Sequence, residues 1–119
     1  MTNATIRHYY EHCPYFGAWP EDAADVLTTR AGSQSAGEVM QLQVKVRNGK
    51  ISDVRIQIYG CGYAIAALAY VAEYCMGKRL SELIISAQEI ADALQLPARK
   101  LHSTLVVESL LAQLTPPAL

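Results

Sequence analysis

The sequence has little of what would signal a secreted, membrane-bound or nucleic-acid-binding protein. Its three cysteines are odd in number, which argues against the paired disulfides of a small secreted domain. Ten Lys and Arg residues against eleven Asp and Glu give a net charge of −1, so the basic excess needed to bind phosphate backbones is missing. No apolar run reaches the ~18 residues of a membrane span. These absences predict a cytoplasmic protein with reduced thiols that binds neither nucleic acid nor membrane.

The remaining composition is that of an ordered globular chain. Hydrophobic residues make up 51% of the sequence and charged residues 18%, a balance that favours a packed core. The 119 residues leave room for one domain, spanning residues 1–119. The N-terminus has no charged segment followed by an apolar stretch, so no secretion signal is expected. Aromatic residues are concentrated over residues 9–19, which indicates either core packing or a partner surface.

Two segments in the middle of the chain alternate apolar and polar residues, the period of a half-buried strand. The apolar positions are Met40, Leu42, Val44 and Val46, then Val54, Ile56 and Ile58. Asn48-Gly49 between them favours the positive φ angles of a tight hairpin. We also expect a short strand over residues 26–29, a flexible loop over residues 31–37 and an irregular connection over residues 14–25. A small antiparallel sheet of about three strands follows.

Helical spacing of apolar residues dominates the rest of the chain. It predicts four helices: residues 6–13, residues 62 to the closing Gly77, residues 86–94, and a last helix after Pro97. Pro14 ends the first helix, and Ser86 with Glu89 forms a capping box for the third. Residues 115–119 are expected to form a frayed tail. Strands followed by helices predict an α+β fold with the helices packed on one face of the sheet.

Cys61 stands between two glycines, where the strand pattern changes to the helical one. Because a helix N-terminus stabilises a neighbouring anion, we expect this thiol to ionise unusually readily. The alternative is a small buried cysteine in a tight turn. A dinucleotide-binding loop is excluded since Ile65 replaces its third glycine. Cys13 and Cys75 lie at packing positions.

The three histidines offer two further candidate sites. His102 lies early in the last helix beside Ser103 and could meet Cys61 at the end of the sheet. The alternative is an ordinary surface or core histidine. His8 and His12 are four residues apart on the first helix, a spacing that can hold a metal ion on one helix face.

Three separated segments together resemble the signature blocks of the IscU/NifU-type iron–sulfur cluster scaffolds. They occur in the family's order at residues 36–46 (AGEVMQLQVKV), 59–66 (YGCGYAIA) and 96–103 (LPARKLHS). The resemblance runs from about Tyr10 to Leu114. It implies the α+β fold of the NifU N-terminal domain.

The resemblance also implies a ligand set that this chain keeps only in part. In the family, three cysteines and an aspartate hold a nascent cluster, with a histidine beside the third cysteine. The middle cysteine falls on Cys61 and the histidine on His102, while the aspartate falls on Glu38. The other two cysteines fall on Ala36 and Ser103. A methyl group and a hydroxyl cannot replace thiolates, so we expect an iron–sulfur cluster to be held weakly.

The ligands that remain at these positions are Cys61, His102 and Glu38, a set able to bind an iron or zinc ion. With Glu38 expected on a flexible loop, we predict that this metal site is open and weak. Any such binding competes with protons for the same lone pairs.

The family's partners are expected from the same resemblance. Its chaperone-recognition stretch, Leu-Pro-Pro-Val-Lys, is matched at Leu96, Pro97 and Lys100 but not at the two positions between. The resemblance implies recognition by a chaperone and docking of a sulfur-donating cysteine desulfurase. The chain itself is expected to be a monomer or a weak homo-oligomer.

Three functional hypotheses remain open. The first is a non-enzymatic scaffold of iron–sulfur cluster assembly that binds iron, zinc or persulfide sulfur at Cys61, with His102 and Glu38 as auxiliary ligands or proton acceptors. The second is a cluster-free paralogue that binds or regulates the assembly partners. The third is a small thiol enzyme with Cys61 as nucleophile and His102 as base, which requires the two within about 3–4 Å and a third group to orient the base.

Overall fold

The computed structural model describes residues 4–114. Its elements are α1 (Ala4–Glu11), β1 (Val26–Ser33), β2 (Glu38–Arg47), β3 (Lys50–Tyr59), α2 (Gly62–Cys75), α3 (Ala87–Leu94) and α4 (Leu101–Leu114), with short 3-10 turns at Leu80–Glu82 and Ala98–Lys100. No helix in this described part of the chain is long and apolar enough to cross a membrane. The frayed tail predicted for residues 115–119 lies outside the described residues.

The three strands form one antiparallel sheet in the order β1-β2-β3, as the sequence predicts. Asn48 and Gly49 both have positive φ angles, 54° and 77°, which is the conformation of a tight hairpin turn. The inward face carries fully buried Met40, Leu42, Val44, Val54 and Ile56. Helices α2 and α4 pack on the sheet and α3 packs on both helices, so the main core lies between the helices and the sheet.

β1 is longer than the sequence predicts. It continues past residue 29 to Ser33, so the expectation of a flexible loop over residues 31–37 is wrong for the first part of that range. A turn over residues 34–37 then leads into β2. Gly32 makes this pairing possible, because its φ is 92° and a Cβ there would collide with the carbonyl oxygen of Glu38. A small, polar stretch can therefore be strand where two backbones approach closely.

The connection over residues 14–25, which we expected to be irregular throughout, contributes a piece of sheet. Phe16 forms a parallel bridge to Ile56 on β3. The backbone N–H of Gly17 donates to the carbonyl of Ile56 at 3.0 Å, and that of Ile56 donates to the carbonyl of Tyr15 at 2.8 Å. This short segment covers part of the outer edge of β3, which would otherwise expose unpaired backbone groups.

Trp19 covers part of the face of the sheet that the helices leave open. Gln43 is fully buried beneath it, donating from Nε2 to the Trp19 carbonyl at 2.9 Å and accepting from the Trp19 N–H at 2.8 Å. Lys45 and Arg55 place their cations 4.6 and 4.8 Å from the indole ring. The packing interpretation of the aromatic N-terminal region therefore accounts for Trp19.

The helices begin and end near the residues that the sequence predicts, except that α1 ends earlier than predicted. α1 ends at Glu11 and not at Cys13, because a residue that precedes proline disfavours the helical conformation. At α3 the capping box is confirmed: Ser86 Oγ accepts from the Glu89 N–H at 3.1 Å, and Glu89 Oε1 accepts from the Ser86 N–H at 3.4 Å. Gly77, with a φ of 79°, follows the end of α2.

Candidate functional site

Cys61 lies where the sequence predicts it, between the end of β3 and the start of α2. It is the N-cap residue of α2, with extended backbone angles of −78° and 169°. Its carbonyl accepts the first helical hydrogen bond from Ile65 at 3.0 Å, while its side chain makes no capping hydrogen bond. The half-buried thiol thus stands at the helix end whose first N–H groups have no partner within the helix.

Glu38 lies on a strand and not on a flexible loop, which corrects the expectation. It is the first residue of β2 and pairs with Ser33 on β1. Because side chains alternate along a strand, Glu38 shares the inward face with Met40, and only 4% of it is exposed. The carboxylate is therefore directed toward the helices.

Ser103 and His102 meet this carboxylate from the first turn of α4. The fully buried Ser103 hydroxyl donates a hydrogen bond to Glu38 Oε1. His102 Nε2 lies 3.5 Å from the same oxygen, and 57% of the imidazole side chain is exposed. The structure thus brings together Glu38, His102 and Ser103, which the resemblance aligns with the family's ligand residues or their neighbours. Glu38 lies at the centre of this cluster.

The cysteine junction, residues 60–62 between β3 and α2, packs against this cluster through Gly60. A Cβ at Gly60 would lie 3.5 Å from Glu38 Cγ and 3.3 Å from the Ala64 side chain. The start of β2, the start of α4 and the junction before α2 therefore meet at one end of the sheet. Direct contact between Cys61 and His102 stays a prediction.

Within residues 4–114, no three or more His, Cys, Asp or Glu side chains are grouped so that they could hold a metal ion. Glu38 Oε1 accepts from Ser103 in this arrangement. Ala36, which the resemblance aligns with a family cysteine, lies exposed in the turn before β2, where its N–H donates to Ser33 Oγ at 3.2 Å. The ligand set of Cys61, His102 and Glu38 stays a prediction.

The stretch that resembles the family's chaperone-recognition sequence forms the connection between α3 and α4. Leu96 and Pro97 are half-buried, and Pro97 precedes the 3-10 turn that leads into α4. Lys100 places its ammonium group 5.6 Å from the ring of Tyr63, in the first turn of α2. This stretch therefore reaches the same helix end that carries Cys61.

The other two cysteines lie in packed surroundings, as expected. Cys75 is fully buried in α2, and burial raises the pKa of its thiol to about 12. Burial also raises the pKa of the half-buried Cys13 thiol, although a backbone hydrogen bond from Tyr15 partly opposes this. Both thiols are free. Their surroundings favour a packing role.

The resemblance predicted that Glu38 and Ser103 stand at ligand positions of the family, but sequence reasoning missed that they bind each other. A signal was present in the periodicities. Glu38 continues the inward alternation of Met40 and Leu42, and Ser103 starts a buried helical stripe that continues at Val107, Leu110 and Leu114. A polar side chain on a buried face needs a hydrogen-bond partner, and here Glu38 and Ser103 are the partners of each other.

Comparison with known proteins agrees with this geometry. The family model described as NifU-like N terminal domain matches residues 2–114. The chain is 38% identical over 102 residues to the iron–sulfur cluster assembly scaffold protein IscU of Haemophilus influenzae, covering 84% of this chain and 81% of the relative. It is 36% identical over 107 residues to iron sulfur cluster assembly protein 1 of Trachipleistophora hominis, covering 89% and 78%.

Solved structures show the same fold at lower sequence identity. A protein designated an iron–sulfur cluster assembly scaffold of the SUF system, from Fervidobacterium islandicum AW-1, matches with a TM-score of 0.72 and 18% identity over 93% of both chains. The N-terminal NifU-like protein of Brucella abortus matches with a TM-score of 0.67 and 16% identity, covering 93% of this chain and 89% of that one. With its three-stranded sheet, Gly-Cys-Gly junction and these matches, the chain belongs to the NifU-like N-terminal domain family of iron–sulfur cluster assembly scaffolds.

Proposed function

We propose that this protein is a scaffold-type protein of iron–sulfur cluster assembly that takes up iron or persulfide sulfur at Cys61. The names of its relatives support the class of function. The observation that carries the proposal is the position of Cys61, half-buried at the N-cap of α2 with its neighbour Gly60 against Glu38. The thiolate is the form of cysteine that attacks sulfur and binds metal, and Cys61 presents its sulfur at the helix end whose first N–H groups have no partner within the helix.

Sulfur uptake at Cys61 is a thiol exchange with balanced atoms. The donor is a cysteine desulfurase that carries a persulfide on its own cysteine. The Cys61 thiolate attacks the outer sulfur of that persulfide, a new S–S bond forms on Cys61, and the donor's S–S bond breaks. The donor cysteine leaves as a thiolate, so no external oxidant or reductant is needed.

His102 and Glu38 act as auxiliary groups in this proposal. The exposed imidazole of His102 lies 3.5 Å from the Glu38 carboxylate, which favours its orientation toward the same end of the sheet. It serves there as a ligand or as the acceptor of the Cys61 proton. One thiolate, one imidazole and one carboxylate suit zinc or ferrous iron. A two-iron cluster carried as cargo is held weakly, because two of three thiolates are missing.

We propose the two partners that the resemblance to the family implies. A cysteine desulfurase supplies the sulfur, and a chaperone recognises the connection that contains Leu96, Pro97 and Lys100. Lys100 links that connection to the first turn of α2 through Tyr63. Chaperone binding there is therefore positioned to act on the helix end that carries Cys61.

A second candidate function is a cluster-free protein that binds the assembly partners. The hydrogen bond from Ser103 to Glu38 favours it, because the carboxylate at a ligand-related position is already used inside the protein. Partner binding without metal uptake distinguishes this candidate from the first. The thiol-enzyme hypothesis gains an orienting group in Glu38, but its Cys61–His102 contact stays a prediction.

Sulfur transfer tests the first proposal directly. The protein is incubated anaerobically with a cysteine desulfurase and L-cysteine, and its intact mass is measured. We expect one added sulfur atom on the natural chain and on Cys13→Ala, and none on Cys61→Ala. Sulfur that persists in Cys61→Ala, or is absent from the natural chain, would contradict the proposal.

Zinc titration by calorimetry separates the two candidates. We expect the tightest zinc site of the natural chain to be lost in Cys61→Ala and retained in Cys13→Ala. Equal zinc affinity in the natural chain and Cys61→Ala would show that Cys61, His102 and Glu38 do not form that zinc site. Retained desulfurase binding would then support the cluster-free candidate.

A further inference from the structure

His8, on α1, and His12, the residue directly after the end of α1, form a pair that the site around Cys61 does not use. His8 and His12 are one helical turn apart, and their rings stack with centroids 5.4 Å apart and planes inclined by 25°. Both residues are exposed. The backbone N–H of His12 donates to the carbonyl of His8 at 2.9 Å, so the helical geometry between the two rings is maintained up to the end of α1.

The charged side chains next to His8 and His12 in the sequence form no ion pair with the two imidazole rings. Arg7 and Glu11, each the residue directly before one of the two histidines, form an ion pair with each other at 3.7 Å. Among the described residues, neither His8 nor His12 takes part in an ion pair. The remaining ring contact of His8 is edge-to-face with Tyr9, with centroids 5.1 Å apart. The ring nitrogens therefore remain available to a ligand from solvent.

We propose that His8 and His12 together bind one divalent transition-metal ion, with water completing its coordination. Imidazoles four residues apart on one helix face can reach the same ion, which is how paired helical histidines hold zinc. Imidazole nitrogen suits copper, nickel and zinc, and affinity at such a site is highest for copper(II). Since no third protein ligand joins them within residues 4–114, the site stays open to solvent.

This site is separate from the one around Cys61. Tyr10 marks the side of α1 that faces the cysteine junction, because its ring lies 3.6 Å from the position of a Cβ on Gly62. Residues two positions apart on a helix point about 200° apart. His8 and His12, each two positions from Tyr10, therefore point away from that junction. The metal bound on α1 is not shared with Cys61.

Nickel titration followed by calorimetry tests the site without the oxidation of thiols that copper causes. We expect a nickel site on the natural chain, additional to any nickel bound at Cys61, whose affinity falls at least tenfold in His8→Gln and in His12→Gln. The matched variants His102→Gln and Cys61→Ala should retain this site within twofold. Circular dichroism of each variant establishes that α1 and the rest of the fold are retained.

Ring signals in nuclear magnetic resonance provide a second readout. The chain has only three histidines, and paramagnetic Ni²⁺ should broaden the ring signals of His8 and His12 together in the Cys61→Ala background. Unchanged nickel affinity in both α1 variants, or broadening of His102 alone, would overturn the inference. Because the readout is independent of Cys61, failure of this site and failure of sulfur uptake are distinguishable.

Discussion

The two ends of α2 carry the same chemical groups in opposite settings. Cys61 caps the N-terminal end, is half-exposed and lies between two glycines. Cys75 ends the helix on the C-terminal side, is fully buried, and has a pKa raised to about 12 by burial. The comparison shows that the residue type does not define the site. The surrounding backbone and packing make one cysteine a candidate acceptor and the other a core residue.

Each end of α2 also carries a contact between a tyrosine ring and a lysine ammonium group, and the two contacts differ. At the C-terminal end, Lys78 places its ammonium 4.3 Å from the ring of Tyr74 and also donates to the Tyr74 carbonyl at 2.8 Å. At the N-terminal end, Lys100 lies 5.6 Å from the ring of Tyr63. The tyrosine–lysine contact at the C-terminal end of α2 is thus local in sequence, whereas the one at the N-terminal end joins α2 to the 3-10 turn before α4.

Thiol reactivity should show the largest difference between the two ends. A thiol with a pKa of about 12 is ionised in roughly one molecule in 10⁴ at pH 8, and Cys75 is also shielded from reagent. We expect alkylation of Cys75 by iodoacetamide to be at least ~10³-fold slower than that of Cys61. Peptide mass spectrometry over a time course measures both rates.

Two controls make the reactivity comparison interpretable. Cys61→Ala should remove the fastest reaction without accelerating Cys75. In denaturing urea all three thiols should react at similar rates, because unfolding removes the burial that raises the pKa of Cys75. If Cys75 and Cys61 react at similar rates in the folded protein, the two ends do not differ as described.

The bond between Ser103 and Glu38 should contribute the next largest effect, on stability. Ser103→Ala leaves a buried carboxylate without its donor, so we expect the free energy of unfolding to fall by about 2 kcal/mol. Urea unfolding followed by circular dichroism measures it. Ser109→Ala, on the exposed side of the same helix, should change stability by less than ~0.5 kcal/mol.

A double-mutant cycle with Glu38→Gln identifies the partner. If the hydroxyl and the carboxylate act as one unit, the two single effects should not add, and the coupling should be about 1 kcal/mol or more. Strict additivity would mean that Ser103 and Glu38 stabilise the fold independently.

The two tyrosine–lysine contacts should give the smallest effect. We expect Lys78→Ala to lower the free energy of unfolding by about 1 kcal/mol, because it removes a cation over a ring, a hydrogen bond and a favourable charge at a helix C-terminus. Lys100→Ala removes only the more distant contact and should have less than half that effect. Thermal unfolding of both variants measures the order, and the reverse order would contradict it.

Sequence periodicity predicted the β2–β3 hairpin, the three-stranded sheet, the helices and the position of Cys61, because those features depend on local spacing and turn chemistry. It was wrong about residues 31–33 and about Glu38, which was expected on a loop. There the outcome depends on a backbone contact between Gly32 and Glu38, two residues on neighbouring strands. It also missed the bond between Ser103 and Glu38, which joins residues 65 positions apart. The local pattern places Glu38 and Ser103 on inward faces, but it does not identify each as the partner of the other.

The central proposal is that this chain keeps the scaffold geometry around Cys61 while Ala36 and Ser103 stand where the family has two thiolates, and restoring those thiolates tests it most directly. Ala36→Cys combined with Ser103→Cys is reconstituted anaerobically with iron, sulfide and a desulfurase, alongside the natural chain. Ala36→Cys with Ser109→Cys is the control with the same number of thiols. We predict that only the first variant gains cluster absorbance together with iron and sulfide that remain bound after gel filtration. A yield no higher than that of the natural chain would contradict the claim, because the geometry of the site, and not its ligand count, would then be what limits the cluster.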